Sequence, residues 1–466
     1  MAQAFRDSAL SPVALRQVWD KRNRRGENPA KTLSRHGELG NPILTKIVSN
    51  YSTAAKIRKR TSELPPSTSL LGVNQRERLE GALEKALGER ENLIDNYLAV
   101  ASAHIDSPAF QLAFDLDFET GDKHFYRLTS PFGFNTMASL AVSNHIERAY
   151  GLRSASREQI VTQLRHSMAD DVEKTLVRGD IEKFFDSIDH GRLKAMLRRD
   201  GLIGGASLRI VERFLKVFEL KQSGRKVGVP RGIGLSTVLA EVYLSDFDRE
   251  MSLHPRLIYY ARYVDDFVAL FSPTTEEQGF EWLDWIGNLL SENKLRLTSN
   301  QSKLSEQRLG PSQVLTRFDF LGYSFSQPRA KSDLYIGISA RRLQVAKRRL
   351  DATFGAYSRS TSNTGKSSEL LYWRLRYLTS NTRLQHNKRA AYAGVKFSNP
   401  QLTSDLSDLH DLDDALQALL KSTKLYSTQT KRLKRLSFVR GFENTIYINL
   451  SYARFSEIVS AWGRDG

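Results

Sequence analysis

Two adjacent aspartates, Asp265 and Asp266, are the residues of this sequence with the clearest potential for chemistry. Apolar and aromatic runs flank them, residues 257–260 before and 267–271 after, which predicts a tight β-hairpin with the acids at its turn. Adjacent carboxylates repel each other, and burying such a pair is costly unless a cation neutralises it. The alternative is an acidic surface turn, so the rest of the chain must decide.

A third aspartate, Asp180, follows a short strand that begins at Leu176. Nucleotidyl transfer on nucleic acids commonly uses two divalent ions about 3.5–4 Å apart. Mg²⁺ prefers hard oxygen ligands, and Mn²⁺ is the alternative ion. Three aspartates from two places in the sequence would hold two Mg²⁺ ions if the strand ends converge, which a central antiparallel sheet would provide.

The net charge of +17 is unevenly distributed along the chain. Residues 1–60 carry 13 Lys and Arg against 4 Asp and Glu, and residues 331–466 carry 23 against 11, which leaves −4 for residues 61–330. A centre that holds divalent metal, between basic arms that hold a polyanion, would have this distribution. The alternative is charge for solubility, which rarely requires such segregation.

Several classes of protein are excluded or disfavoured by composition. The sequence contains no cysteine, so it has no disulfide, thiolate zinc site or iron–sulfur cluster. The N-terminus lacks the long apolar core of a signal peptide, and no run approaches the ~18–20 apolar residues of a membrane span. We therefore expect a cytoplasmic protein that does not enter a membrane.

Five sequence blocks follow one another in a characteristic order. They are a strand ending in an acid with an aromatic pair after it, a Gly/Pro-rich loop leading into a helix, the Asp-Asp hairpin, an Asn-x-x-Lys segment and a Phe-Leu-Gly-Tyr segment. These blocks span residues 180–188, 228–244, 263–266, 297–303 and 320–325. In this order they resemble the blocks of reverse transcriptases, and the resemblance is good from about 175 to 325.

The resemblance implies an α+β fold of the right-hand polymerase type. A basic N-terminal extension (1–70) would precede the fingers (71–174) and a catalytic palm built on an antiparallel sheet (175–330). The basic region 331–466 would be an α-helical, thumb-like C-terminal domain that binds RNA or DNA.

The resemblance also implies roles at the metal site. Asp180, Asp265 and Asp266 would hold the two metal ions, with Asp266 the more peripheral ligand. Ile181 would add a backbone contact at the metal-bound triphosphate while its side chain lies in the core. Lys303 would act as general acid toward the departing pyrophosphate, the alternative being a solvated surface lysine.

Three further residues would contact the incoming nucleotide. Phe185 matches the position whose ring lies beneath the sugar and excludes a 2′-hydroxyl, which implies the use of dNTPs; the alternative is an ordinary core phenylalanine. Arg231 and Gly232 would contact the nucleotide or the template backbone.

The triphosphate and the primer would be contacted from two other segments. Arg127 and Lys123 are the candidates for the triphosphate, and each is alternatively an ordinary surface charge. Gly322 and Tyr323 would form the primer grip.

Two features indicate the branch of the family. The loop carries Pro230-Arg231-Gly232 where reverse transcriptases most often have Pro-Gln-Gly, and it is more similar to bacterial defence-associated, abortive-infection and unknown-group enzymes. The segments 374–384 and 393–399 resemble the C-terminal extension of those enzymes.

The expected function is therefore RNA-directed DNA synthesis in anti-phage defence, with an associated non-coding RNA as template and DNA as product. Aromatic residues among the C-terminal basic helices suit a structured RNA or a nascent duplex. These residues are Tyr372, Trp373, Tyr377 and Tyr392. A partner protein or a homo-oligomer is left open. The alternatives are a retron-like or group II intron-derived reverse transcriptase and a catalytically idle nucleic-acid-binding protein on a polymerase fold.

Overall fold

The structure is a computed structural model that describes most of the chain. The described residues are 8–24, 28–36, 42–64, 70–129, 133–152, 155–170, 172–273, 281–327, 329, 333–360, 364–384, 391–403 and 405–463. Within them the fold mixes helices with mainly antiparallel sheets.

The helices in chain order are α1 Pro12–Arg24, α2 Pro29–His36, α3 Pro42–Glu63, α4 Leu70–Asp106, α5 Phe134–Ala149, α6 Arg157–Met168, α7 Phe184–Ser187, α8 His190–Asp200, α9 Gly205–Lys221, α10 Gly234–Tyr243, α11 Ser245–Leu253, α12 Trp282–Glu292, α13 Ala340–Ser358, α14 Thr364–Leu378, α15 Ser407–Ser422, α16 Ser427–Leu433, α17 Phe438–Glu443 and α18 Tyr452–Val459. The strands are β1 Phe114–Thr120, β2 Lys123–Leu128, β3 Lys174–Asp180, β4 Leu257–Tyr263, β5 Asp266–Phe271, β6 Ser305–Leu309, β7 Leu315–Phe320, β8 Tyr323–Gln327, β9 Tyr335–Ile338, β10 Asn381–Leu384, β11 Ala391–Gly394 and β12 Tyr447–Ile448. A short 3₁₀ helix covers Gln301–Lys303.

These elements form two compact units, each made of several chain segments. Unit 1 comprises residues 1–153, 183–248 and 292–295, and unit 2 comprises 154–182, 249–291 and 296–466. The four predicted domains do not coincide with these units, because the chain leaves and re-enters each of them. The labels of fingers, palm and thumb stay predictions.

Unit 1 is mainly helical. Its apolar helix faces bring together the rings of Trp19 on α1, Tyr97 on α4 and Phe134 on α5, whose successive centroids are 5.9 Å apart. The hairpin β1–β2 joins this unit through Phe114, whose ring lies 5.3 Å from that of Phe214 on α9. Burial of such rings is a large apolar contribution to stability.

Unit 2 is built around a four-stranded antiparallel sheet in the order β4-β5-β3-β6. Every residue of β3 is buried, including the charged side chains of Lys174, Arg178 and Asp180. The helix α6 packs on the sheet with Ile160 and Leu164 in a core that includes Leu176 and Phe325. The central position of β3 fixes where Asp180 comes to lie.

The region after residue 330 contains strands as well as the helices predicted for it. Strand β9 pairs with β8, so the predicted boundary at 330 falls inside the sheet β7-β8-β9. A second three-stranded sheet, β11-β10-β12, lies among the C-terminal helices. Leu350 of α13, Leu375 of α14 and Leu416 of α15 share the core of this region.

None of the helices in the described part of the chain combines the length and apolarity needed to cross a membrane.

Candidate active site

The strands β4 and β5 form the predicted hairpin, with Val264 and Asp265 as its two-residue turn and Tyr263 paired with Asp266. Val264 has a φ of 62°, in the left-handed region. A β-branched residue is rare there, and such strained conformations concentrate at functional sites. The strained turn presents two carboxylates in succession at the end of a buried strand.

The register of the sheet brings the third aspartate to this turn. Asp180 is the direct partner of Asp266 across the β3–β5 ladder. The ladder continues past the strand end, because the Ile181 N–H donates to the carbonyl of Asp265 at 3.0 Å. We call Asp180, Asp265 and Asp266 the carboxylate triad. The convergence predicted for the three residues is therefore present in unit 2.

Asp266 lies where its charge is unfavourable. The pKa of its carboxyl is raised from the ordinary 3.8 to about 6: burial is the largest cause, the charges of Asp180 and Asp265 add to the rise, and the charges of Arg178 and Lys303 oppose it. The Arg178 guanidinium lies 3.4 Å from Asp266 Oδ1 and donates to the Ser302 carbonyl at 3.1 Å. The sequence analysis gives Arg178 no role, because its pairing with Asp266 depends on the register between β3 and β5.

Lys303 lies beside the carboxylate triad, as its sequence block predicted. Its Nζ is 2.7 Å from Asp180 Oδ2, and its side chain is 44% exposed. The 3₁₀ helix Gln301–Lys303 positions it, with the Asn300 side chain accepting from the Ser302 N–H at 3.1 Å. Lys303 is therefore both paired with the triad and reachable from solvent.

A glycine is required directly before Asp180. A Cβ added to Gly179 would lie 2.2 Å from the ring of Phe267, its cross-strand partner. The buried Phe267 ring thus occupies the space of a missing side chain and holds β3 against β5. This packing fixes the register on which the triad depends.

The donor set of the triad fits a divalent cation, although the described residues contain no group of three or more His, Cys, Asp or Glu arranged as a complete metal site. Mg²⁺ is usually held by only one or two carboxylates together with substrate phosphates and water, so a complete protein cage is not needed. The pKa of Asp266 is raised mainly by burial and also by the charges of Asp180 and Asp265, and a bound cation would offset both effects. A metal contact from Ile181 would come from its carbonyl, because its N–H is already bonded and its side chain is buried.

In unit 1, the Gly-rich loop (residues 228–232) folds back on the segment after Lys183. Val229 N–H donates to the Phe185 carbonyl at 2.8 Å, and Arg231 pairs with Asp186 at 2.7 Å. The Arg231 guanidinium also lies 5.1 Å from the centre of the Phe185 ring. Phe184 is the core residue of the aromatic pair, whereas Phe185 is half-buried. Arg231 therefore positions the Phe185 ring, a link that the sequence did not reveal.

The same loop contacts β2. Tyr126 N–H donates to the Arg231 carbonyl at 2.7 Å, and a Cβ on Gly232 would lie 2.6 Å from the Tyr126 carbonyl. Arg127 and Gly232 line one cavity of about 480 Å³ within unit 1. Arg127 is exposed and 3.5 Å from Asp117, and Lys123 is exposed at the start of β2. Their predicted contact with a triphosphate stays a prediction.

The predicted primer grip is the turn between β7 and β8 in unit 2. Leu321 and Gly322 both have positive φ, 49° and 84°, which suits a two-residue hairpin. Tyr323 lies in the core with 1% exposure, so its ring is not available to a ligand. A contact with a primer would have to come from the backbone of this turn.

One protein-family model matches the part of the chain that contains this geometry. The family model described as reverse transcriptase (RNA-dependent DNA polymerase) matches residues 129–325. The matched segment contains the carboxylate triad, Lys303, the Gly-rich loop and the β7–β8 turn. Residues 129–325 are thus similar to reverse transcriptase domains, and the match covers less than half of the chain.

Solved structures with similarity to the chain include two Candida telomerases. The apo telomerase of Candida tropicalis, truncated from the C-terminal domain, is 13% identical with a TM-score of 0.30, and the match covers 44% of each chain. Telomerase from Candida albicans in complex with a fragment of telomeric RNA is 12% identical with a TM-score of 0.30, over 71% of this chain and 57% of that chain. The chain thus spans about half of the length of these telomerases. Comparison with curated protein sequences finds no match.

Proposed function

We propose that the protein copies an RNA template into DNA from dNTPs, with the carboxylate triad as its catalytic centre. The observation that carries this proposal is the register that sets Asp180 opposite Asp266 with Asp265 in the turn between β4 and β5. Two Mg²⁺ ions, when bound, would polarise the primer hydroxyl and neutralise the triphosphate charge. Mn²⁺ is the alternative ion.

The side chains around the triad have separable tasks in this proposal. Arg178 keeps Asp266 ionised and oriented, because a cation 3.4 Å away opposes the effect of burial. Lys303 holds Asp180 in place and, from its half-exposed position, donates a proton to the departing pyrophosphate. The rigid β3–β5 ladder keeps these groups aligned, which lowers the entropic cost of bringing the reactants together.

The biological setting is also part of the proposal. We place the protein in the cytoplasm, in anti-phage defence with an associated non-coding RNA. What supports this is the Pro230-Arg231-Gly232 loop and the basic C-terminal region, with 23 Lys and Arg against 11 Asp and Glu over residues 331–466. Sequencing the nucleic acid that co-purifies with the protein would identify the template and product. Random host RNA without an enriched species would contradict a dedicated template.

The catalytic assignment is tested by primer extension on an RNA template with labelled dNTPs and Mg²⁺. We expect incorporation by the wild type and none by an Asp265→Ala/Asp266→Ala double variant. The matched control is Glu77→Ala/Glu80→Ala, which removes two exposed carboxylates from α4 and changes the net charge equally. No incorporation by the wild type, or equal incorporation by the triad variant, would exclude the proposal.

The proposed sugar contact of Phe185 has its own test. Phe185→Ala should raise the ratio of ribonucleotide to deoxynucleotide incorporation, because a smaller side chain leaves room for a 2′-hydroxyl. Phe184→Leu is the comparison, since Phe184 is the buried member of the pair. Competition between rNTP and dNTP on one primer measures the ratio, and an unchanged ratio in Phe185→Ala would count against the role.

A further inference from the structure

Three exposed aromatic side chains contact one another at the sheet β11-β10-β12. Tyr392 of β11 is 4.9 Å from Phe397 and 5.7 Å from Tyr447 of β12, and Phe397 is 6.0 Å from Tyr447, measured between ring centres. Their exposed fractions are 42%, 37% and 50%. We call these three residues the aromatic cluster. Single exposed aromatics are ordinary on a protein surface, whereas a contiguous group marks an interaction site.

The backbone beneath the aromatic cluster is tightly fixed. Asn381 of β10 lies opposite both Gly394 and Tyr447, and its buried amide donates to the Gly441 carbonyl at 3.0 Å and accepts from Lys396 N–H at 3.0 Å. A Cβ on Gly394 would lie 2.4 Å from the Ser380 carbonyl, so the strands approach closely only because this residue is glycine. The rings are thus held in place before any ligand binds.

The charge around the aromatic cluster is positive. Arg383 is exposed and directly opposite Tyr392 in the β10–β11 ladder, and Lys396 lies in the turn that carries Phe397. The segments 381–384, 391–399 and 444–448 contain these two cations and no Asp or Glu. A ligand that suits this surface has flat apolar faces and negative charge. Unpaired bases on a phosphate backbone have both properties.

We propose that the aromatic cluster binds single-stranded nucleic acid by stacking unpaired bases on Tyr392, Phe397 and Tyr447, with Arg383 and Lys396 toward the phosphates. A duplex is a poor fit, because its bases are already stacked on each other and their faces are closed. The choice of nucleic acid as occupant rests on the proposed polymerase function, but the surface itself does not involve the carboxylate triad.

Fluorescence anisotropy with labelled single-stranded oligonucleotides tests the proposal. The full chain carrying Asp265→Ala/Asp266→Ala is used without dNTPs, so that binding is measured independently of polymerisation. Tyr392→Ala and Tyr447→Ala should each weaken binding on the order of tenfold, and Tyr392→Phe should restore it, because stacking needs the ring and not the hydroxyl. RNA and DNA oligonucleotides of one sequence distinguish the two sources of unpaired bases.

Two controls separate stacking from other causes. Phe118→Ala removes an equally exposed ring, 43%, that stacks on Phe125 in unit 1. Arg383→Ala should lower the salt dependence of binding, whereas Tyr392→Ala should leave it unchanged. Equal losses from Phe118→Ala, or equal weakening of duplex and single-strand binding by Tyr392→Ala, would overturn the proposal. Wild-type affinity in folded Tyr392→Ala and Tyr447→Ala variants would also overturn it, and would leave the surface to a protein partner.

Photocrosslinking of the wild-type chain avoids any dependence on variant folding. An oligonucleotide carrying 5-iodouracil should crosslink to peptides that contain Tyr392, Phe397 or Tyr447, as read by mass spectrometry. Crosslinks confined to other peptides would overturn the proposal even if polymerase activity is intact. Crosslinks at the aromatic cluster would uphold it even if primer extension fails.

Discussion

The carboxylate triad and the aromatic cluster lie beside similar turns, but the triad buries charged groups whereas the cluster exposes apolar ones. Each is reached through a β-branched residue with positive φ, Val264 at 62° and Thr445 at 49°. The triad lies at a buried strand end, where Asp180 is 6% exposed and the charge of Asp266 is opposed by burial. The aromatic cluster instead leaves apolar rings in solvent. In both places the fold maintains groups in surroundings that are unfavourable to them without a ligand.

The difference between the two regions lies in what holds them. The triad depends on the register of buried strands, so a change beside it moves several groups together. The cluster depends on close backbone packing under side chains that point outward, so its members should act more independently. We therefore expect large and coupled effects at the triad, and small and separable effects at the cluster.

The sharpest contrast is in catalysis. Asp180→Asn should lower the rate of dNTP incorporation by roughly 10³-fold or more, since a correctly held metal contributes several kcal/mol to transition-state stabilisation. Tyr392→Ala should leave the rate at saturating template within a few-fold of the wild type. Single-turnover primer extension measures both. Similar losses of rate in Asp180→Asn and Tyr392→Ala would contradict the assignment of catalysis to the triad and of binding alone to the cluster.

Register is tested by filling the space of Gly179. Gly179→Ala should destabilise the protein by about 3 kcal/mol, because its Cβ would lie 2.2 Å from the Phe267 ring. The double variant Gly179→Ala/Phe267→Leu should recover part of that loss. Gly88→Ala in α4 is the control, since no atom lies within 4 Å of its added Cβ and it should be neutral or stabilising. Urea unfolding measures all three, and an unperturbed Gly179→Ala would show that the ladder tolerates a shift.

The charge of Asp266 makes a pH-dependent prediction for the metal-free protein. Its pKa is raised from 3.8 to about 6, so the folded state favours the protonated form and the free energy of unfolding falls as pH rises from about 4 to about 6. Asp266→Asn mimics the protonated form and should be more stable than the wild type by about 3 kcal/mol at pH 8, with little difference at pH 4. Thermal and urea unfolding in EDTA would measure this.

One control variant and the addition of Mg²⁺ test the interpretation of the pH effect. Asp351→Asn, at an exposed position in α13, should show no such difference. Added Mg²⁺ should stabilise the wild type more than Asp266→Asn, because it binds the ionised triad in the folded state. A pH-independent gap between Asp266→Asn and the wild type would show that the effect is not the charge of Asp266.

Sequence patterns were sufficient for the parts of the site that are local. The apolar runs around Asp265 and Asp266 predicted the hairpin β4–β5, and the strand before Asp180 was recognisable from its residue types. The pairing of β3 with β5 and the counter-charge of Arg178 were not readable, because both depend on which strands become neighbours in the folded chain. The convergence of the three aspartates was an expectation from the sequence, and the register between β3 and β5 is what brings them together.

The C-terminal sheet shows where local patterns fail. Its strands have four, four and two residues, and Gly394 ends one of them. The parallel pairing of Asn381 with Tyr447 joins distant parts of the sequence. A strand of two residues is too short to show the alternation of apolar and polar residues from which a strand is predicted. The sequence therefore does not show the aromatic cluster as a group, although Tyr392 stands out as an aromatic among basic residues.

The smallest expected effects are at the two strained turns. Glycine relieves a left-handed conformation that costs a non-glycine residue about 1–2 kcal/mol, and the greater freedom of the unfolded chain offsets about 0.4–1 kcal/mol of that. Val264→Gly should therefore be neutral to slightly stabilising. Thr445→Gly should be destabilising by up to about 1 kcal/mol, because the Thr445 hydroxyl also accepts from Lys396 Nζ at 2.7 Å. Urea unfolding resolves differences of this size when both variants are measured beside the wild type. If the free energy of unfolding rose more in Thr445→Gly than in Val264→Gly, the hydrogen bond from Lys396 to Thr445 would contribute nothing to stability. The backbone beneath the aromatic cluster would then depend on the close packing at Gly394 alone.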